Sequence, residues 1–200
     1  MDNSKYFFLN KSLRYKDYDY STEGFYFITI CTKNRNKYFG DILNDSVLLN
    51  EIGEIASLNW RNVSRHFSYI NIYEFIIMPN HIHGIIEITD YDKSQRHAFD
   101  LRKDRKHQCL PIVIGSYKSS VSKEINNHYP GLNFKWQTSY YDRIIRDSKE
   151  FENISNYILS NPVSWNLDIE NDSYIIGIEK NERVKIINKY YKNIFENTEP

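Results

Sequence analysis

The apolar and polar positions divide the chain into alternating strand-like and helix-like segments. Phe25 to Thr32 (FYFITICT) is an unbroken β-branched and aromatic run, which predicts a central strand buried on both faces. The following KNRNKYFGD reads as a loop. From Val47 to Val63, apolar residues fall at Leu49, Ile52, Ala56, Trp60 and Val63, and this 3-4-4-3 spacing predicts an amphipathic helix. Ile70 to Met78 predicts a second strand, Pro79-Asn80 a turn, and His81 to Ile88 a returning strand. Strand, crossing helix and hairpin form the first half of a ferredoxin-like βαββαβ sheet.

Thr89 to Pro111 has no periodicity and many charges, and a connection of that length is usually functional or disordered. Ile114, Tyr117, Val121 and Ile125 then mark a second helix, whose polar face carries Lys118, Ser119, Ser122 and Lys123. Tyr140 to Ile145 supplies a fourth strand. Asp147 followed by Glu150 has the layout of a helix cap, and Phe151, Ile154 and Ile158 mark the buried stripe of the helix it starts. Asn161-Pro162 ends that helix, because proline pushes the residue before it out of the α region. A last amphipathic helix carries Val184, Ile187, Tyr191 and Ile194 on one side. The expected class is α+β: a ferredoxin-like antiparallel sheet with helices on one face, plus a helix carrying Tyr157 and a C-terminal helix.

Composition narrows the function classes. The chain of 200 residues is 40% hydrophobic and 16% aromatic, which fits one globular domain with a sizeable core. Its expected divisions are an N-terminal arm over 1–24, a main domain over 25–165 and a helical extension over 166–200. No run of about 18 apolar residues offers a membrane span, and the N-terminus lacks a signal-peptide layout. Cys31 lies in a strand-like run and Cys109 in a polar loop, without metal or disulfide spacing. That usage suits a reduced cytoplasm. Net charge is zero, yet Lys93 to Arg146 holds eleven Lys/Arg against four Asp/Glu. A basic middle in a neutral protein points to a localised polyanion site, or to a solvated loop, since six of the eleven sit in one connection.

Candidate chemistry centres on Met78-Pro79-Asn80-His81-Ile82-His83-Gly84. Alternate strand residues face the same way, so His81 and His83 can grip one metal ion from one side, with Ile82, Gly84 and Ile86 on the other. Such pairs also occur as structural histidines. The stretch KWQTSYYDRIIR interleaves aromatic and basic residues, as single-stranded nucleic acid requires for stacking and phosphate contact. Lys118, Lys123, Arg143 and Arg146 are candidates for phosphate contacts and Trp136 for base stacking. Arg102-Lys103 and Arg105-Lys106 are further candidates for hairpin phosphates. A structural role is an equal alternative for each. Tyr157 and Asn161 are i, i+4 neighbours on one helix face.

MPNHIHGII, FYFITICTKNRNKYFG, IGSYKSSVSKEIN, WQTSYYDRIIR and YILSNPV occur in an order that resembles the REP-associated tyrosine transposases, single-tyrosine members of the HUH endonuclease superfamily. The resemblance covers roughly Arg14 to Trp165. It implies that His81 and His83 hold a divalent metal, Mg²⁺ or Mn²⁺, with Asn161 as the third ligand. It further implies that Tyr157 attacks a DNA phosphate, leaving a 5′-phosphotyrosine and a free 3′-hydroxyl. The implied substrate is single-stranded DNA carrying a hairpin, and the implied assembly is a monomer or a homodimer.

Tyr140 and Tyr141 rival Tyr157 as the nucleophile, but neither has a metal-ligand candidate at helical spacing. Two other functions compete with a metal-dependent endonuclease and strand transferase. One is a silent hairpin-binding protein of the same fold. The other is a hydrolase that uses His81 and His83 to hold Zn²⁺.

Overall fold

A computed structural model describes residues 20–89, 109–171 and 180–196. Its centre is a four-stranded antiparallel sheet built from β1 (Gly24–Cys31), β4 (Ile70–Ile77), β5 (His81–Ile88) and β6 (Tyr141–Ile145), in the order β4-β5-β1-β6. With α1 (Glu51–Arg61) between β1 and β4, and α3 (Cys109–His128) between β5 and β6, this is the expected βαββαβ arrangement. β1 is flanked on both sides, pairing Thr29 with His83 on one edge and with Tyr141 on the other.

The two faces of the sheet bury different partners. Tyr26, Ile28, Ile30, Ile82 and Ile86 pack with Ala56 and Trp60 of α1 and with Ile114, Tyr117, Val121 and Ile125 of α3. Phe27, Ile85 and Ile145 face the other way, against Ile154, Tyr157 and Ile158 of α4 (Ser148–Ser160) and Tyr191 of α5 (Lys180–Glu196). Gly84 belongs to the first face, where a Cβ would stand 2.5 Å from Cζ2 of Trp60. Only a residue without a side chain lets the indole come this close to β5 at that point.

The expected helix from Val47 is corrected at its start. Gly40–Leu43 and Ser46–Leu49 form a separate hairpin, β2 and β3, joined by Asn44 and Asp45 in the left-handed region (φ 49 and 57). Two consecutive positive-φ residues give the turn whose twist matches paired strands, and Asn and Asp tolerate it. The helix begins only after Asn50, whose side chain caps it by accepting from the Gly53 N–H. A short helix α2 (Val63–His66) follows α1. Cys109 is also reassigned: it opens α3 and is buried, not set in a polar loop. Both cysteines are free. Asp147 caps α4 as its spacing predicts, accepting from the Glu150 N–H. Among the described residues, no helix is long and apolar enough to cross a membrane.

Candidate active site

The site lies on the α4/α5 face of the sheet, at the start of β5. His81 and His83 point the same way from alternate positions, with ring centroids 4.4 Å apart and no exposed surface. α4 crosses that face so that its apolar stripe buries Ile154 and Ile158 and carries Tyr157 inward with them. The Tyr157 hydroxyl sits 3.1 Å from His83 Nε2 and 3.3 Å from Asp168 Oδ2, two acceptors within reach of its one proton. Asn161, just past the end of α4, donates from Nδ2 to the same Asp168 oxygen at 2.6 Å. Ligand atoms of His81, His83 and Asp168 all lie within 4.8 Å of one another.

Asp168 is the residue that sequence reasoning missed. It follows the short helical turn Trp165–Leu167, and its carboxylate is fixed by the Glu170 N–H at 2.6 Å. The only hint in the sequence is the buried polar run Asp168-Ile-Glu170-Asn171, which carries no recognisable ligand spacing. Its neighbour Glu170 is buried in an ion pair with Arg35, a residue held at φ 56 after β1.

Burial sets the protonation of the cluster. It pushes His83 down to about 3, and drives His81 well below its usual value, with His83 and Arg35 adding to the effect. Both rings are therefore neutral at pH 7 and able to offer a lone pair. Burial also raises Asp168 to about 6, Glu170 adding to the rise and hydrogen bonds from Glu170, Asn161 and Tyr157 opposing it. The Tyr157 phenol is held well above 10 by burial, then by the neighbouring Tyr191 and Asp168. Two polar atoms in this dry site lack a hydrogen-bond partner: His81 Nε2 and Asn161 Oδ1. Orphaned donor atoms beside neutral imidazoles and a carboxylate fit a divalent cation.

The remaining candidates are not gathered here. Lys118 and Lys123 lie on α3, which covers the opposite sheet face, and Lys118 Nζ donates to the carbonyls of Gln137 and Thr138. Trp136 is a core residue of that same face, packed on Phe39 and Phe134, with its indole N–H donated to the Lys118 carbonyl. Arg143 is on the site's face, but its Nε donates to Glu150 at 2.6 Å. Arg146 is exposed. Arg102, Lys103, Arg105 and Lys106 lie outside the described residues.

No family model matches the chain. A Haemophilus influenzae protein named only as an uncharacterized protein is 38% identical over 164 residues, spanning 79% of this chain and 91% of its own length. A second protein of that organism, named "putative REP-associated tyrosine transposase", is 26% identical over 145 residues, spanning 72% of this chain and 73% of its own. This chain is a remote homologue of a protein named as a REP-associated tyrosine transposase. A solved structure of a REP-associated tyrosine transposase bound to a REP hairpin is 21% identical, with a TM-score of 0.48 over 76% of this chain and 73% of the other.

Proposed function

We propose that the protein is a metal-dependent endonuclease and strand transferase that cuts single-stranded hairpin DNA through a 5′-phosphotyrosine. The observation that carries this reading is the Tyr157 hydroxyl set 3.1 Å from His83 Nε2, inside the His81–His83–Asp168 cluster. The order of the motifs, and the similarity to a protein named as a REP-associated tyrosine transposase, support the substrate class. Asp168, beyond the residues the resemblance implied, adds a carboxylate to the set.

His81 and His83 would hold the ion through Nε2, with the partnerless Asn161 Oδ1 supplying an oxygen. Such an ion would supply Lewis-acid polarisation of the phosphate and offset the charge that grows on its oxygens. Imidazole together with amide oxygen suits Mn²⁺ as well as Mg²⁺. Tyr157 is the nucleophile: its oxygen bonds to phosphorus, and the bond from phosphorus to the 3′ oxygen breaks. A phenol held above its usual value needs a base. Asp168 Oδ2, 3.3 Å from that hydroxyl, takes its proton and makes it available to the departing 3′ oxygen. The phosphoester is conserved in the tyrosyl link, so another 3′-hydroxyl can reverse the step and join strands.

The test incubates protein and a Tyr157→Phe variant with hairpin oligonucleotides in Mn²⁺, Mg²⁺ or EDTA. A denaturation-resistant protein–DNA adduct that needs metal and is absent from Tyr157→Phe establishes the reaction. An adduct that persists in Tyr157→Phe moves the nucleophile to Tyr140 or Tyr141. Salt-sensitive hairpin binding without any adduct favours the silent binding protein. Cleavage that survives in Tyr157→Phe without an adduct favours the hydrolase.

A further inference from the structure

Among the described residues, the hydrogen bonds at Nδ1 of both histidines lead back to one buried residue, Glu170. On the His83 side, the ring Nδ1 lies 2.9 Å from Thr29 Oγ1, the residue directly opposite it on β1. Thr29 Oγ1 lies 3.4 Å from the Tyr191 hydroxyl, which donates to Glu170 Oε1 at 3.3 Å. On the His81 side, Nδ1 lies 2.8 Å from Asn80 Oδ1, and Asn80 Nδ2 donates to the Glu170 carbonyl at 2.9 Å. The members of both chains are buried.

We propose that Glu170 is the positioning residue of this site, fixing both histidines with the proton on Nδ1 and a bare Nε2 facing the cluster. The inference rests on the reading of His81 and His83 as metal ligands. Its logic is the one-way character of acceptors. The Glu170 carboxylate, paired with the Arg35 guanidinium, accepts from the Tyr191 hydroxyl. The Tyr191 oxygen in turn accepts from Thr29, and Thr29, its one proton spent, accepts from His83 Nδ1–H. The Glu170 carbonyl likewise only accepts. It therefore holds the Asn80 amide with nitrogen outward and oxygen toward His81 Nδ1–H. Each ring is left with its lone pair on Nε2: that of His81 has no partner, and that of His83 takes the single Tyr157 hydroxyl proton across 3.1 Å, ahead of Asp168 Oδ2 at 3.3 Å. A reversed chain would place a proton on His83 Nε2 and spoil it as a ligand. Outer hydrogen bonds of this kind orient metal-bound imidazoles generally.

The experiment reads the tautomers directly, on metal-free full-length protein with ¹⁵N-labelled histidine in a chelator, by long-range ¹H–¹⁵N correlation. The expected wild-type result is a proton on Nδ1 of both His81 and His83. Tyr191→Phe and Glu170→Gln break only the side-chain route. Each should give His83 a population protonated at Nε2, leave His81 unchanged, and weaken Mn²⁺ binding by about 10-fold. Thr29→Ser keeps the hydroxyl and should keep the wild-type pattern. Tyr191→Phe retains the buried ring and carries the test if Glu170→Gln fails to fold. A proton on Nε2 of His83 in the wild type, or an unchanged His83 in both Tyr191→Phe and Glu170→Gln, overturns the proposal. Tautomers are read without DNA, so loss of the nuclease reading in the adduct assay is a separate result.

Discussion

Tyr157 and His83 meet at 3.1 Å across 74 positions of sequence, brought together because α4 lays its apolar stripe on the sheet face from which the histidines project. The pair places a phenol against the nitrogen that would hold the ion. Changing each partner should therefore have separable consequences. Tyr157→Phe should abolish the DNA adduct and leave Mn²⁺ affinity, measured calorimetrically without DNA, close to wild type. His81→Ala removes a ligand and should weaken Mn²⁺ by about 100-fold or more, beyond what loss of an outer-sphere partner costs. Chelation should stop adduct formation in both proteins that retain Tyr157. Equal loss of Mn²⁺ affinity in Tyr157→Phe would mean that the tyrosine is itself a ligand.

Asn161 and Asp168 share a hydrogen bond at 2.6 Å but have different duties in this scheme. Asp168→Asn keeps the shape of the side chain and removes the proton acceptor. It should slow adduct formation by about 100-fold or more at saturating Mn²⁺, the usual contribution of a general base. Asn161→Ala removes the partnerless oxygen and should act mainly on Mn²⁺ affinity. Single-turnover rates and binding isotherms on both variants decide the matter, and the opposite pattern would exchange the roles.

Much of this was legible in the sequence, for a physical reason in each case. Phe25 to Thr32 and His81 to Ile88 are apolar enough to be buried on both faces, so their strands stand out, and alternation puts His81 and His83 together without further information. Ile154 and Ile158 fix the inward face of α4 and with it the direction of Tyr157. The hairpin over Gly40–Leu49 was hidden because Leu49 continues the helical spacing of Ile52, Ala56 and Trp60 by coincidence. Its signals were the Asn44-Asp45 turn and the Asn50 cap. Trp136 sits among basic residues in sequence, yet its surroundings in space are Phe39 and Phe134. Asp168 and Glu170 had no periodicity to betray them. They reach the site through tertiary pairing, Glu170 with an arginine 135 positions away.

Metal-free protein should lose stability in mild acid. His83, pushed down to about 3, and His81, lowered well below 6.5, stay neutral in the native state while the unfolded chain protonates both. Their contribution is full above pH 6.5 and is lost as pH falls. Asp168, raised to about 6, acts oppositely, since the native state takes up its proton while the unfolded carboxylate is still ionised. Between pH 6 and pH 4 the two histidines thus outweigh Asp168, and the unfolded state binds more protons from these three groups than the native state does. Stability should fall as pH falls through that window. Urea unfolding at several pH values in a chelator measures this slope. Asp168→Asn should steepen it, and His83→Gln should flatten it; a flat profile for all three proteins would show that these groups do not titrate differently on folding.

On the other side of β5, Gly84 is the point where the sheet meets Trp60, and the fit leaves no room for a methyl group, which would lie 2.5 Å from Cζ2. Trp60 cannot easily retreat, because its ring is held edge-on against Tyr117 at 5.0 Å and lies beside Phe75 at 6.2 Å. Gly84→Ala should therefore cost about 1–3 kcal/mol, the usual penalty of overpacking. Combined with Trp60→Leu, which opens the space, the loss should be smaller than the sum of the two single losses by at least about 0.5 kcal/mol. Additive losses would show that the added methyl strains the backbone instead of the indole. Gly84 adjoins His83 in the chain, so a β5 displaced by the methyl should also weaken Mn²⁺ binding. Trp60→Leu in the same protein should restore that affinity, because relief of the clash lets the strand return the imidazole to Tyr157.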